Sequence, residues 1–304
     1  MRDRPLVSIC CLTYNHEPYI RECLEGFLMQ KCEFTFEVLI HDDASTDGTA
    51  KIIKEYETKY PEIIKPIYQN ENQYSKREGS LSLRYNFPRA KGVYIAMCEG
   101  DDYWTDPFKL QKQVSFLEAN NQYSVCWHRY QVSQNGKITG RILPEISDDF
   151  VITKSNFFDK WYTKTLSVVF RKKALSKIDF SKYNNFKDST LFYEFLKQGY
   201  GLCFKFVGGI YQNNSTGIWS SLSEKLQLRS ASLNIEELYR HNTDDIFLQN
   251  NLKGLIKTFV QKGHYSDWIF VLSNFKTAKF KLFLINTIFR MTVNKFFSKL
   301  RIYN

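Results

Sequence analysis

A largely parallel α/β sheet flanked by helices, with a helical extension behind it, is the fold class this sequence predicts, and three observations carry the expectation. The first 130 residues alternate β-branched and aromatic runs with segments of helical periodicity, the pattern of parallel strands joined by crossover helices. Polar and acidic clusters fall at the ends of successive predicted strands, where such sheets gather their ligand sites. After Trp219 the strand pattern stops and the chain becomes helical and basic. With 43% hydrophobic and 16% aromatic residues, the 304-residue chain can bury a sizeable core, which excludes a disordered class.

Strands are predicted at 6–13, 36–41, 63–68, 93–98 and 123–130. Between the first two, Ile20, Leu24, Phe27 and Leu28 recur at helical spacing. TDGTAKIIKEYETKY (46–60) offers a second helix, opened by an Asp/Ser/Thr-rich turn suited to capping. Asp106-Pro107 starts a third, running to about Asn120, with proline in the first turn, where its missing N–H costs nothing. From 131 to 220 the pattern is mixed, with short strands near 166–171 and 202–211 and a helix near 188–198. Beyond it, 224–240, 244–262 and 265–273 read as amphipathic helices. The expected division is a first domain over 1–222, in halves of about 1–105 and 106–222, and a basic helical region over 223–304.

A formal charge of +10 implies attraction to a polyanion: nucleic acid, an anionic membrane or a phosphorylated substrate. Nucleic acid is not expected, because the acidic clusters lie where its binding face would be and the basic excess gathers in the C-terminal tail. The seven cysteines form no C-x-x-C pair, so neither a disulfide framework nor a zinc site is expected, and a reducing cytoplasm is the predicted compartment. The opening apolar run, about seven residues, is too short for a signal peptide, and none approaches the roughly 20 residues of a spanning helix. No G-x-G-x-x-G, G-x-x-x-x-G-K-[ST] or H-E-x-x-H is present, and Cys11 to His16 holds no glycine for a nucleotidyltransferase phosphate loop.

The chemistry concentrates in Thr13-Tyr14-Asn15, in Asp42 to Asp47, in Glu99-Gly100-Asp101-Asp102 and, farther on, at Asp188. Any one cluster has a plain explanation, since Asp and Asn favour turns and caps. Three behind successive strands are harder to explain that way. Glu99, Asp101 and Asp102 suit a divalent cation, Mn²⁺ or Mg²⁺, which requires oxygen ligands and often sits between one or two carboxylates and substrate phosphates. An Asp at the end of an earlier strand could accept the N3–H of uracil, and Tyr14 could stack on or border the base.

In order and spacing, PLVSICCLTYNHEPYI (5–20), FEVLIHDDASTDGT (36–49), RYNFPRAKGVYIA (84–96) and EGDDYWTDPFKL (99–110) resemble glycosyltransferase family 2, over roughly residues 5–130. That resemblance implies the GT-A fold, a Rossmann-like, mostly parallel sheet, and a nucleotide-diphosphate sugar, UDP-linked by expectation, as donor. It divides the first domain into a nucleotide-sugar half (about 1–105) and an acceptor half (about 106–222). It makes Thr13, Tyr14, Asn15 and Asp43 nucleoside contacts with Asp42 beside them. Arg84 and Asn86 stand where the family has an adjacent Arg-Asn pair at the diphosphate, here with Tyr85 between them. Asp101 and Asp102 match the acidic motif that meets ribose and metal, with Glu99 in support.

The same resemblance implies that Asp188 is the base, although Lys187 replaces the Glu that usually precedes it, and an ordinary helix cap is the alternative. Asp188 would take the proton of an acceptor hydroxyl in a single displacement that inverts the anomeric carbon. Expected acceptors are glycans or lipid-linked glycans of lipopolysaccharide, capsule or a related surface polymer. The expected donor sugar is a hexose or N-acetylhexosamine. Without a Gln-x-x-Arg-Trp motif or membrane spans, one sugar per acceptor is expected rather than a processive polymer. Asn213 and Asn214 occupy a loop (211–220) that often contains a His. With Lys187, that difference keeps open a catalytically silent relative that binds a nucleotide sugar as sensor or subunit.

The tail, 276–304, carries five Lys and two Arg with no Asp or Glu. Leu282, Ile285, Phe289, Val293, Phe296 and Leu300 form an apolar stripe, while Asn286, Thr287, Arg290, Asn294 and Lys295 interrupt the run, so a span is not expected. Such a helix suits the interface of an anionic leaflet, here the cytoplasmic face of the inner membrane, or packing on the catalytic domain with a solvated basic face.

Overall fold

The five runs predicted as strands form strands in the computed structural model, which describes residues 4–158, 163–214, 217, 221–262 and 264–300, with 294–300 as backbone only. The chain divides into two compact units, Met1–Gly217 and Ile218–Asn304.

In the first unit, β1 (Val7–Thr13), β2 (Phe36–Asp42), β3 (Ile64–Tyr68) and β4 (Tyr94–Met97) lie in the order β3-β2-β1-β4, all parallel. They are connected by α1 (Ile20–Leu28), α2 (Thr49–Lys59) and a π-helical turn (Ser82–Asn86) that runs into the one-turn α3 (Phe87–Arg89). Nearly every residue of β1, β2 and β4 is buried, because both faces of the sheet are covered; this is why they read as unbroken apolar runs. Ile20, Leu24 and Phe27 of α1 join Ile53 and Tyr56 of α2 in one core with Val7, Ile9, Val38 and Ile40. Each fully buried side chain of this kind contributes about 1.5–3 kcal/mol.

The chain continues through β5 (Tyr103–Trp104), α4 (Lys109–Ala119), β6 (Tyr123–Gln134), β7 (Lys137–Leu143), β8 (Phe150–Ile152), β9 (Val169–Arg171), α5 (Asp188–Leu196) and β10 (Tyr200–Asn213). β9 runs antiparallel between β4 and β6 and so joins the halves into one sheet, of ten strands among the described residues. β10 lies parallel to β6, with β5 and β8 antiparallel to it. The parallel arrangement expected from the sequence is therefore realised in β3-β2-β1-β4, and the second half is mixed.

Register decides where the functional side chains meet. Thr13 ends β1 opposite Asp42 at the end of β2. Past β4 the chain still follows β1: Cys98 N donates to Cys10 O at 3.2 Å and Gly100 N to Leu12 O at 2.9 Å. The C-terminal ends of β2, β1 and β4 thus stand side by side.

In the second unit, α6 (Glu224–Arg240), α7 (Ile246–Lys262), α8 (Tyr265–Asn274) and α9 (Ala278–Leu300) share a core that includes Leu238, Leu252, Ile256, Phe259, Val271, Phe280 and Leu284. Buried Glu236 fixes the turn into α9, accepting from Lys276 N at 3.0 Å, Thr277 N at 2.9 Å and Thr277 Oγ1 at 2.7 Å. The stripe predicted for the tail is a different face: Leu282, Ile285 and Phe289 are 59%, 52% and 68% exposed. The side chains of Asn294, Lys295, Phe296 and Leu300 lie outside the described residues. No described helix is long and apolar enough to cross a membrane.

Candidate active site

The acidic loop sits where β4 ends because its backbone is tied from below. The Cys23 thiol of α1 donates to Glu99 O at 3.5 Å, and the Cys98 thiol to Asp102 O at 3.6 Å. Gly100 is required there, since a Cβ would come within 2.7 Å of Thr13 Oγ1 and 2.8 Å of Thr13 Cβ, leaving no room for a side chain. Asp102 is buried: its Oδ1 accepts from Gln212 N of β10 at 2.8 Å, while its Oδ2 has no partner among the described residues. Burial, then the neighbouring Asp101 carboxylate, holds the Asp102 carboxyl well above the usual range. Burial likewise pushes Glu99 up to about 8, with Asp101 and Asp188 acting in the same direction and Lys164 against them.

Asp188 opens α5, with Lys187 at the cap position, so it is a helical residue and not the cap. Its residue is exposed to solvent. Burial raises its carboxyl above the ordinary value, while Lys164 and then Lys187 pull it down. Although 86 residues separate Asp102 from Asp188 in the chain, the charges of Asp102, Glu99, Asp188 and Asp101 all bear on Lys164. The Lys164 ammonium lies 4.2 Å over the ring of Tyr211, next to the Gln212 that holds Asp102.

A divalent cation requires oxygen ligands. The unpartnered Asp102 Oδ2 fits that need, with Asp101 and Glu99 in the same loop. No three His, Cys, Asp or Glu side chains among the described residues form a metal cage by themselves. An ion shared with a ligand's phosphates suits this loop better than a closed protein site.

On the β1 side, Thr13 Oγ1 and His16 Nδ1 are buried without partners among the described residues, both beside Gly100. Burial lowers the His16 imidazole below its usual value, opposed by Asp101, Asp47 and Asp42. Tyr14 is exposed and free to border a ligand. Asn15, with φ of 55°, is a strut: its N donates to Ser45 Oγ at 2.9 Å and its Oδ1 accepts from Thr46 N at 2.8 Å. Asp42 accepts from Ser45 N at 3.3 Å and from the Ser45 hydroxyl. Asp43 accepts from Gln73 N at 2.8 Å and Tyr74 N at 3.0 Å, fixing the loop after β3.

The predicted diphosphate contacts Asn86 and Arg84 each have protein partners, although Arg84 Nη1 is buried without one among the described residues. Asn86 is fully buried, donating to Cys11 O at 3.0 Å and accepting from Arg89 Nη2 at 2.8 Å. Arg84 pairs with Glu78 at 2.8 Å. Of the polar loop 211–220, residues 215, 216 and 218–220 lie outside the described residues, while Asn213 ends β10. Sequence reasoning did not single out Lys164, His16 or the Tyr211 ring as site residues. His16 lay inside a quoted motif, whereas Lys164 carried no local signal.

A family model described as Glycosyl transferase family 2 matches residues 8–183. An uncharacterized protein of Mycobacterium tuberculosis is 39% identical over 170 residues, 55% of this chain and 47% of the relative. Curated matches from Bacillus subtilis carry glycosyltransferase names, one of them given provisionally for teichuronic acid biosynthesis. The chain spans about half the length of the curated relatives it matches. Among solved structures, S. aureus TarS 1–349 in complex with UDP-GlcNAc aligns at TM-score 0.63 and 18% identity, over 92% of this chain and 79% of that one. The mannosyltransferase PcManGT from Pyrobaculum calidifontis, in complex with GDP-Man and Mn²⁺, aligns at 0.55 and 14%, over 94% and 86%. At these identities the structural likeness is one of fold.

Proposed function

This chain belongs to glycosyl transferase family 2 and has the GT-A fold, and from that premise we propose that it moves one sugar from a nucleotide-diphosphate sugar to a hydroxyl of a glycan or lipid-linked glycan, with inversion. The observation that carries the reading is that the Asp188 charge acts on Glu99 of the acidic loop and, together with Asp102, on Lys164, while Asp102 Oδ2 has no partner among the described residues. Asp188 accepts the proton of the acceptor hydroxyl as that oxygen attacks the anomeric carbon from the side opposite the diphosphate. The bond from that carbon to the phosphate oxygen breaks, its electron pair leaving on the diphosphate. Asp102, with Asp101 and Glu99 beside it, would hold a divalent cation, which when bound supplies positive charge to the departing diphosphate. Thr13 and His16 face the donor with free polar atoms, Tyr14 borders the base, and Asn15, Asp42 and Asp43 keep those loops in place.

A UDP-sugar is the favoured donor because the TarS relative is solved with UDP-GlcNAc; the GDP-Man of PcManGT keeps guanosine donors in the test. Transfer and hydrolysis are measured on UDP-, GDP- and dTDP-sugars with Mn²⁺, comparing wild type with Asp188→Asn and Asp102→Asn. Turnover should fall about 10²–10⁴-fold in Asp188→Asn with nucleotide binding kept. Full activity in both variants overturns the site assignment. Binding without turnover in the wild type supports the silent relative, which Lys187 favours.

An acceptor at an anionic membrane surface is supported by the exposed Leu282, Ile285 and Phe289 on a helix rich in Lys and Arg. Ending the chain near Lys276 would also strip Phe280 and Leu284 from the core of the second unit. The cleaner test replaces Leu282, Ile285 and Phe289 with Ser and compares flotation on anionic and neutral liposomes. Equal binding by variant and wild type removes the stripe from the account.

A further inference from the structure

We propose that Lys164 is the protein's own cation for the β-phosphate of the donor, the phosphate that departs; the proposal rests on the reading of this site as a nucleotide-sugar site. Of the side chains expected at the diphosphate, Asn86 is engaged by Cys11 O and Arg89, and Arg84 pairs with Glu78 through Nη2 while its buried Nη1 has no partner among the described residues. Lys164 is the lysine on which Asp102, Glu99, Asp188 and Asp101 all act. It makes no hydrogen bond from Nζ and no ion pair within 4.0 Å among the described residues, in contrast to Lys197, which pairs with Glu194 at 3.1 Å. An ammonium has three N–H donors and no acceptor. Placed between carboxylates yet bonded to none of them, it has its donors ready for oxygen atoms that a ligand brings.

The mounting is rigid. Ser167 N and Ser167 Oγ donate to Lys164 O at 3.1 and 2.9 Å, and Trp104 Nε1 donates to Leu166 O at 2.7 Å, tying this turn to the strand that follows the acidic loop. The Tyr211 ring supports the ammonium from below at 4.2 Å. In a nucleotide sugar the β-phosphate is bonded to the reacting carbon, and so lies between the nucleoside and the group that deprotonates the acceptor. Lys164, on which the charges of both Asp102 and Asp188 act, suits that interval.

The test is calorimetric binding of UDP and GDP, against UMP and GMP, to the full chain with Mn²⁺ and again with EDTA, for wild type, Lys164→Met and Lys164→Arg. For the nucleotide the wild type binds, Lys164→Met should weaken the diphosphate about tenfold or more, the worth of a charged hydrogen bond. The monophosphate should change by about twofold or less, and Lys164→Arg should keep most of the diphosphate affinity. Undiminished diphosphate binding in Lys164→Met overturns the proposal, as does an equal loss of mono- and diphosphate, which would mark a structural role. Tighter Mn²⁺ binding in Lys164→Met with unchanged diphosphate affinity also overturns it, making Lys164 a competitor of the metal instead. A wild type that binds none of these four nucleotides, nor dTDP or dTMP, takes down the nucleotide-sugar reading itself, an outcome distinct from a failure confined to the variant.

Discussion

Replacing Lys109 with Met should stabilise the first unit, and by an amount that depends on pH. Lys109 is fully buried at the start of α4, its Nζ has no hydrogen-bond partner among the described residues, and it lies 3.8 Å from the centre of the Trp104 ring. Burial pushes its amine down from an ordinary 10.5 to about 7. At 1.36 kcal/mol per unit, that displacement costs the folded protein about 5 kcal/mol at acid pH. The indole face returns about 1 kcal/mol to the charged form, leaving about 4. The folded state binds fewer protons than the unfolded chain between about 7 and 10.5, so stability rises with pH across that window and is lost as pH falls through it. The advantage of Lys109→Met should therefore be about 4 kcal/mol at pH 6.5 and about 2 kcal/mol at pH 9. Urea unfolding followed by tryptophan fluorescence at the two pH values measures it. A variant less stable than wild type at pH 6.5, or a difference that does not change with pH, would refute the reasoning.

Because burial raises Asp188 and Glu99, the acid limb of the kcat/KM profile should lie above the ordinary carboxylate value, activity appearing as pH rises and the base ionises; a profile flat down to pH 4 contradicts this. Gly100→Ala should move the acidic loop away from Thr13, lowering turnover about tenfold or more and unfolding stability by about 1–3 kcal/mol; unchanged kinetics would show the loop to be looser than the 2.7 Å approach implies. Glu236→Ala leaves the Lys276 and Thr277 N–H groups without their acceptor and should cost the second unit about 2–3 kcal/mol, read as faster hydrogen exchange at the start of α9.

β1, β2 and β4 were legible because cover on both faces left them mostly apolar, and with the edge strand β3 they fall within a residue or so of the expected bounds at either end. The same physics hid the rest. β5 has two residues and β8 three, too short to show any period, and the mostly exposed β7 has no apolar face to reveal. The tail repeat was real, but Phe280 and Leu284 form a second apolar face, and periodicity alone does not say which face the core takes.

The site divides along the same line. Glu99, Asp101 and Asp102 are neighbours in the chain, so their mutual repulsion is written into the sequence. What answers that charge is assembled by the fold, Lys164 from the turn before β9 and Gln212 N from β10, while Asp188 from α5 adds a further carboxylate. Asn86 shows the converse case. An amide beside a basic residue in a ligand motif reads as a ligand contact, yet here it is a brace between β1 and Arg89, a role that only a three-dimensional count of its donors and acceptors exposes. Motif matching therefore finds the charge a site presents more readily than the charge that answers it. Substitutions at Lys164 should accordingly separate donor affinity from fold stability, whereas substitutions at Asn86 should lower both together.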